Sequence, residues 1–326
     1  MAVIGLAVGL FCLWLALRRV DWQEAARIAR AADASFIVLG FALQGANLLM
    51  RAVRWRELLL FQAPVRAAAV VQALLVGYAA NGALPARLGE LFRAGYLARR
   101  TTFSGSSVLA SIVVERLLDL VAALSILVIG LLAAGGGNAV TRDILMAGGV
   151  LAVAVAGVLL FIASWSSPDK VVTAIARLVS RLPNGDAIAR RLGRQFADFA
   201  QLSRVLRTRH FLAAAAMTLP IWAIETGAVW SICRAVHVEL GLTGMLCLMG
   251  GASLATIVPT APGFVGSYQF VYVLILAEFG IDATSAVVAA TTAQLFLIVS
   301  YTLIGFLVMG GAAAFGAKKY RDEPTV

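Results

Sequence analysis

The sequence predicts an all-α fold, a polytopic helical membrane protein, and three observations carry that prediction. Of its 326 residues, 61% are hydrophobic and only 13% charged, with a mean hydropathy of +0.91; water-soluble domains run near half apolar and a quarter charged. The apolar residues form continuous runs, as in Ile144–Ser164, whereas the strands of a membrane barrel alternate polar and apolar. The basic residues behind the formal net charge of +10 sit between those runs. There a positive-inside bias and anionic headgroups account for them, and no nucleic acid is needed. Hydrocarbon enforces the helical choice, because each unpaired backbone N–H or C=O costs several kcal/mol there and a helix pairs its own.

In chain order the apolar runs are Ala2–Leu17, Phe36–Met50, Ala67–Leu84, Leu117–Ala134, Ile144–Ser164, Phe211–Cys233, Leu242–Val258, Phe264–Phe279 and Ala283–Ala314. A full crossing takes about 20 residues. The first run has no basic stretch ahead of it and Arg18-Arg19 behind it, so it reads as a retained span rather than a cleaved leader. Ala67–Leu84 is broken at its end by Asn81, Gly82 and Pro85, and Phe264–Phe279 is short. Both read as parts of hairpins, Val65–Arg99 dipping in from the cytoplasm and Leu242–Phe279 from the opposite side. With the first hairpin returning inside, the N-terminus is inside too. The sum is about six full spans and two broken, re-entrant helical hairpins. The segment Pro259–Tyr268 repeats the Pro-x-x-x-Gly spacing of Pro85–Gly89, as an inverted repeat would.

Residues 166–210 form the one sizeable polar insert, with nine bases against Asp169, Asp186 and Asp198. Beyond the turn Pro183-Asn184-Gly185, Ile188, Leu192, Phe196, Phe199, Leu202 and Leu206 recur at helical spacing. That pattern is a basic amphipathic helix suited to the anionic, cytoplasmic membrane face. The tail Lys318-Lys319-Tyr320-Arg321 puts the C-terminus on the same side. The organisation is one transmembrane domain over 1–326 carrying the insert at 166–210. Cys12, Cys233 and Cys247 stand singly in apolar runs and read as small core residues.

Charge within or beside hydrocarbon costs about 2.5–3.5 kcal/mol per residue on insertion scales, so three clusters stand out. The first joins Arg51, Arg54 and Arg56 to Asn81, Pro85, Arg87, Gly89, Glu90 and Arg93. Pro85 and Gly89 interrupt a helix and expose amides and the positive end of the half-helix that follows. With Arg87 and Arg93 beside it, such a place suits a phosphate, and Arg54 and Arg56 can serve the same headgroup. The alternative is that these arginines only anchor helix ends at the interface. The second cluster is Glu115, Arg116 and Asp119, where a span begins. Glu115 and Asp119 share a helix face, either as a structural ion pair or as a polar lining that moves a proton or neutralises Arg87. Glu225 is the acid placed deepest in an apolar run and must pair or take up a proton. In the third, Pro259, Pro262, Gly263 and Gly266 deny a regular helix, and Ser267 is placed to cap the next one. Irregular backbone at membrane depth survives only where protein or a wet cavity covers it. His210 and His237 are single and no Gly-rich P-loop occurs, so no metal site, cofactor, ATPase or catalytic residue is expected.

The ordered set Arg51-x-x-Arg54-Trp55, Pro85-x-Arg87-x-Gly89-Glu90-x-x-Arg93, Glu115-Arg116-x-x-Asp119 and Pro259-Thr-x-Pro262-Gly263-x-x-Gly266 resembles the lysylphosphatidylglycerol synthase transmembrane family. That flippase-like module stands at the N-terminus of the multiple peptide resistance factor and alone in bacterial and archaeal proteins. The resemblance runs from about Ala2 to Phe315. It implies movement of a lipid with a polar headgroup between leaflets, such as an aminoacylated phosphatidylglycerol or a polyprenyl-linked glycan, in a bacterial or archaeal plasma membrane. The bifunctional members add a soluble aminoacyl-transferase domain, whereas this sequence runs to Val326 after a short charged tail, so synthesis of the lipid is not expected.

The leading expectation is therefore a lipid translocase, not an enzyme, whose ligand is a membrane lipid with a phosphate headgroup. Two other readings stay open. One is a membrane enzyme on a lipid-linked substrate with Glu90 or Glu115 as general base. The other is a non-transporting partner of a separate lipid synthase. A homo-oligomer is open as well.

Overall fold

The computed structural model describes residues 2–83, 88–135, 157, 208–256 and 262–300. The expected span Ile144–Ser164, nearly all of the 166–210 insert and the Lys318–Arg321 tail lie outside the described residues. Helix α1 covers Ala2–Leu17, and the short α2, Trp22–Arg30, starts where the Asp21 carboxylate accepts from the Gln23 and Glu24 N–H groups. Helix α3, Ala34–Leu60, starts on Asp33 in the same way. Then come α4, Ala67–Ala83, α5, Gly89–Ala98, and α6, Gly105–Ala133. Past the insert lie α7, Arg209–Ala235, and α8, Leu242–Ala255; a 3-10 turn at Pro262–Phe264 leads to α9, Ser267–Ala277, and α10, Ala283–Ile298. No strand occurs among the described residues.

The all-helical class holds, but six full spans are not what the described residues show. By length and composition only α3 and α7 among them meet the test for crossing a membrane. Two expected boundaries also move. The run read as Phe36–Met50 continues as helix to Leu60, so Arg51, Arg54 and Arg56 lie on α3 rather than in a loop. The run read from Leu117 begins at Gly105, capped by Ser104, so Glu115, Arg116 and Asp119 sit inside α6 rather than at its start. The reason is common to both. Arg and Glu are good helix formers, and pairing inside the fold removes the penalty that a hydropathy reading charges them.

The helices form two halves of similar plan. In the first, α4 and α5 fold back antiparallel. Tyr96 and Arg100 reach Gln72 at 3.3 Å, and the Asn81 side chain accepts the Gly89 N–H at 2.8 Å. In the second, α8 and α9 do the same, with Gly251 facing Val271 and Ile275 and Gly244 facing Phe279. At 17, 10, 14 and 11 residues, these helices extend about 15–25 Å, short of the ~30 Å hydrocarbon layer. Each half has its own core. One gathers Trp55, Leu59, Leu74, Leu97 and Ile112; the other gathers Ile232, Leu248, Tyr272, Leu276 and Ala289. Helices α3 and α7 join the halves along the largest helix–helix interface. They run antiparallel, since the Asp33 N–H donates to the Ala235 carbonyl at one end and Glu57 meets His210 at the other.

Backbone-on-backbone contact fixes both hairpins. A Cβ on Gly89 would run into the Gly77 carbonyl, so α5 crosses α4 at a distance only glycine permits. Gly266 has φ 94°, and a Cβ there would strike the Gly9 carbonyl of α1. Helix α1 thus lies directly over the second break. Ser267 does not cap α9 as expected. Its hydroxyl donates to the Phe264 carbonyl at 3.2 Å, and Gln269 instead accepts the Gly266 N–H at 2.8 Å. Gln269 passes a hydrogen bond to Gln294 of α10 at 2.5 Å, and Gln294 donates to the Gly263 carbonyl at 2.6 Å. Backbone groups freed by the break are thereby satisfied inside the protein.

Candidate functional site

The charged residues of α3, α5, α6 and α7 converge into one network. On α3, Gln44, Asn47, Arg51 and Arg54 follow steps of three and four residues, which puts them on one face, and all four are buried. Arg54 N–H groups reach Asp119 at 2.8 Å, Thr218 at 3.2 Å and Glu115 at 3.5 Å. Arg51 donates to Asn47 at 2.7 Å and Asp119 at 3.2 Å, and it pairs with Glu225 of α7. The Asn47 amide in turn donates to the Ile221 carbonyl at 2.8 Å; Ile221 is one residue ahead of Trp222 in the α7 helix that carries Pro220. Arg93 of α5 donates to Glu115 at 2.6 Å, and its guanidinium lies 3.5 Å from the centre of the Trp55 ring, a cation–π contact within the dry core. The Trp55 indole N–H is held by Ser111 at 3.0 Å.

Four arginines thus meet four carboxylates, but not equivalently. Arg54, Glu115 and Arg93 are closed in, with 0%, 0% and 3% of their side chains exposed. Arg116 is 30% exposed and Glu90 28%, and their contact is long, at 3.5 Å. Arg116 also touches Glu115 at 3.0 Å and Asp119 at 3.6 Å.

This network forms one wall of a cavity of about 400 Å³ between the two hairpins, within the size range of small-ligand sites. Of the expected site residues, Asn81, Gly89, Glu90, Arg93, Arg116, Asp119, Glu225 and Gly263 line it, from both halves of the fold. Arg54 and Glu115 stand behind that wall and tie it together. Arg56 is not brought in; it donates to the Val65 carbonyl at 3.0 Å at the end of α3, as the helix-anchoring alternative has it. Gly266 and Ser267 shape the second break without lining the cavity. Pro85, Arg87 and Pro259 lie outside the described residues, and Pro262 opens the 3-10 turn.

The lining also includes residues the sequence reading passed over, among them Gln44, Trp222 and Gln294. Of these, Gln44 was legible. Gln44 and Asn47 are the polar members of an apolar run that share the arginine face. Among the described residues, the Nε–H groups of Arg54, Arg93 and Arg116 and the Trp222 indole N–H are buried without a hydrogen-bond acceptor. Three of those four residues line the cavity. Buried donors left unpaired cost about 1–3 kcal/mol each, and three of the residues that carry them border a space large enough for an acceptor. No group of three or more potential metal ligands occurs among the described residues.

Comparison with known proteins bears on this geometry. The family model described as "Lysylphosphatidylglycerol synthase TM region" matches residues 2–305. The chain is also similar to Glycosyltransferase AglD of Haloferax volcanii, 24% identical over 332 residues, which cover 93% of this chain and 53% of that protein. The chain thus spans about half the length of the curated relative it matches. That relative corrects the expectation of a protein that is not an enzyme, since what the chain matches is named a glycosyltransferase. Single histidines and a missing P-loop spoke against metal and ATPase chemistry; acid–base work needs only carboxylates of suitable placement, so they never spoke against transfer of a sugar.

Proposed function

Because the chain belongs to the lysylphosphatidylglycerol synthase transmembrane family, we propose that it binds a membrane lipid by its phosphate and carries that headgroup between leaflets. The observation that carries this reading is the charged cavity itself. Three arginines, Arg51, Arg93 and Arg116, the last two with an unpaired Nε–H, line a space between two interrupted hairpins, in a chain that is 61% hydrophobic. Guanidinium groups suit phosphate oxygens, and acyl or prenyl chains can stay in the bilayer while the headgroup occupies the cavity. The two-half plan, each half a long helix with a broken hairpin and a further helix, supports it as well. Transport sites in inverted-repeat proteins sit between such broken helices near the midplane. On this reading the α4–α5 and α8–α9 hairpins are re-entrant, from opposite faces.

Charge supports an orientation. At the end of the bundle where α3 stops and α7 starts, Arg56, Arg66, Arg99, Arg100 and Arg209 face a single acid among the described residues, Glu57. At the other end, Arg18, Arg19, Arg27, Arg30 and Arg234 are offset by Asp21, Glu24, Asp33, Glu239, Glu278 and Asp282. Lys and Arg accumulate on the cytoplasmic side, so on this reading the first end is the cytoplasmic one.

A second reading rests on the glycosyltransferase relative. In it the same cavity presents a lipid-linked substrate to a sugar-transfer step rather than moving it across. One reconstitution separates the two. Purified protein in liposomes with fluorescent phosphatidylglycerol is expected to expose the inner-leaflet label to an external quencher at least about tenfold faster than protein-free liposomes. Rates equal to protein-free liposomes, with sugar transferred to a polyprenyl phosphate instead, would favour the second reading.

A further inference from the structure

We propose that the Glu90 carboxylate holds the place that a phosphodiester takes on Arg116, so that ligand binding displaces Glu90. The inference rests on the phosphate reading above and adds to it a built-in competitor.

Three observations lead there. The first is charge count. Among the described residues, Arg51, Arg54, Arg93 and Arg116 are matched by Glu90, Glu115, Asp119 and Glu225, so this network is neutral. An anion added to it would leave an excess negative charge in a poorly solvated place, which is costly. Losing one carboxylate from the set restores neutrality with a singly charged phosphodiester in its stead.

The second is which carboxylate can leave. Glu115 is fully buried with three arginine partners, and Asp119 is held by Arg51, Arg54 and Arg116. Glu225 is bound to Arg51, which is itself fixed by Asn47. Glu90 has Arg116 as its ion-pair partner among the described residues, at 3.5 Å and without the geometry of a hydrogen bond, and it is 28% exposed. It lies in the first turn of α5, next to Gly89, whose N–H is held by Asn81. Its departure costs the least of the four.

The third is what remains for the incoming group. With Glu90 moved aside, Arg116 Nε–H, Arg93 Nε–H and the indole N–H of Trp222, itself 6% exposed, are donors without acceptors on residues lining one cavity. They come from α6, α5 and α7, so an acceptor reaching all three would draw the first hairpin and the second half of the fold onto one ligand. A phosphodiester has the oxygens to do so and carries one charge.

The test uses the full-length protein in detergent and short-chain dihexanoyl phosphatidylglycerol as probe, with binding read by titration of intrinsic tryptophan fluorescence. Glu90→Gln removes the competing charge and is expected to tighten binding about fivefold, the order of one partly exposed ion pair. Arg116→Gln is expected to weaken it at least about tenfold, and Glu90→Gln added to Arg116→Gln is expected to change nothing further. Unchanged or weaker binding by Glu90→Gln, with Arg116→Gln still defective, would overturn the displacement and leave the phosphate reading standing. No saturable binding by the unsubstituted protein would overturn both. Far-ultraviolet circular dichroism on each variant separates lost binding from lost fold.

Discussion

Glu115→Ala is expected to lower the stability of the folded protein by about 3–5 kcal/mol, the usual cost of removing one partner from a buried ion pair. The side chain is fully buried and holds Arg54, Arg93 and Arg116 at 3.5, 2.6 and 3.0 Å. Arg54 would retain Asp119, and Arg116 can turn toward water, but Arg93 would keep no carboxylate among the described residues. A guanidinium 3% exposed and packed on Trp55 would then be a bare charge in the core. The penalty comes from that orphaned charge rather than from any large net value of the pair, so Arg93→Met added to Glu115→Ala should recover part of the loss. Unfolding titrations in mixed micelles with increasing dodecyl sulfate would measure both. A Glu115→Ala protein as stable as its parent would mean that the network is not closed as described.

Arg116→Gln is expected to do the opposite, sparing the fold and impairing function. Arg116 is the most exposed arginine of the network, and two of its three ion contacts are longer than 3.4 Å. Glu115 keeps Arg54 and Arg93 without it. What it offers is a charged donor group on the cavity wall, held by Glu90 only at 3.5 Å. A hydrogen bond to a charged group is worth about 1.5–3 kcal/mol, so lipid movement in liposomes should fall by roughly ten- to a hundredfold, with the unfolding midpoint close to that of the parent protein. Undiminished lipid movement by Arg116→Gln would remove this residue from the pathway.

The two variants together show what a sequence of this kind displays and what it hides. Charged residues in apolar surroundings are conspicuous because lipid makes them expensive, and Arg54, Arg93, Glu115, Asp119 and Glu225 do converge. The interrupted hairpins were equally plain from Asn81, Gly82, Gly263 and Gly266. The sequence reading failed where it let charge set the ends of helices. Arg51, Arg54, Glu115 and Asp119 lie within helices because their partners across the bundle neutralise them, and partners distant in sequence leave no local mark. Arg56 looked like its neighbours Arg51 and Arg54, yet on an α-helix it faces elsewhere, and the spacing of 51, 54 and 56 already said so. The Gln269–Gln294–Gly263 chain was out of reach, since nothing near Gln294 announces that a break 30 residues earlier needs it. Trp222 was hidden in another way. An indole in an apolar run looks like core until its N–H is found without an acceptor.

The central claim is that a lipid phosphate enters the cavity between the hairpins. Its most direct test is an electron cryo-microscopy structure of the protein in nanodiscs rich in phosphatidylglycerol, read at that cavity. The account predicts headgroup density within hydrogen-bonding distance of Arg116 and Arg93, with Glu90 turned away. A cavity filled by acyl chain or holding only water, with the Glu90–Arg116 pair intact and every phosphate at the bilayer surface, would contradict it.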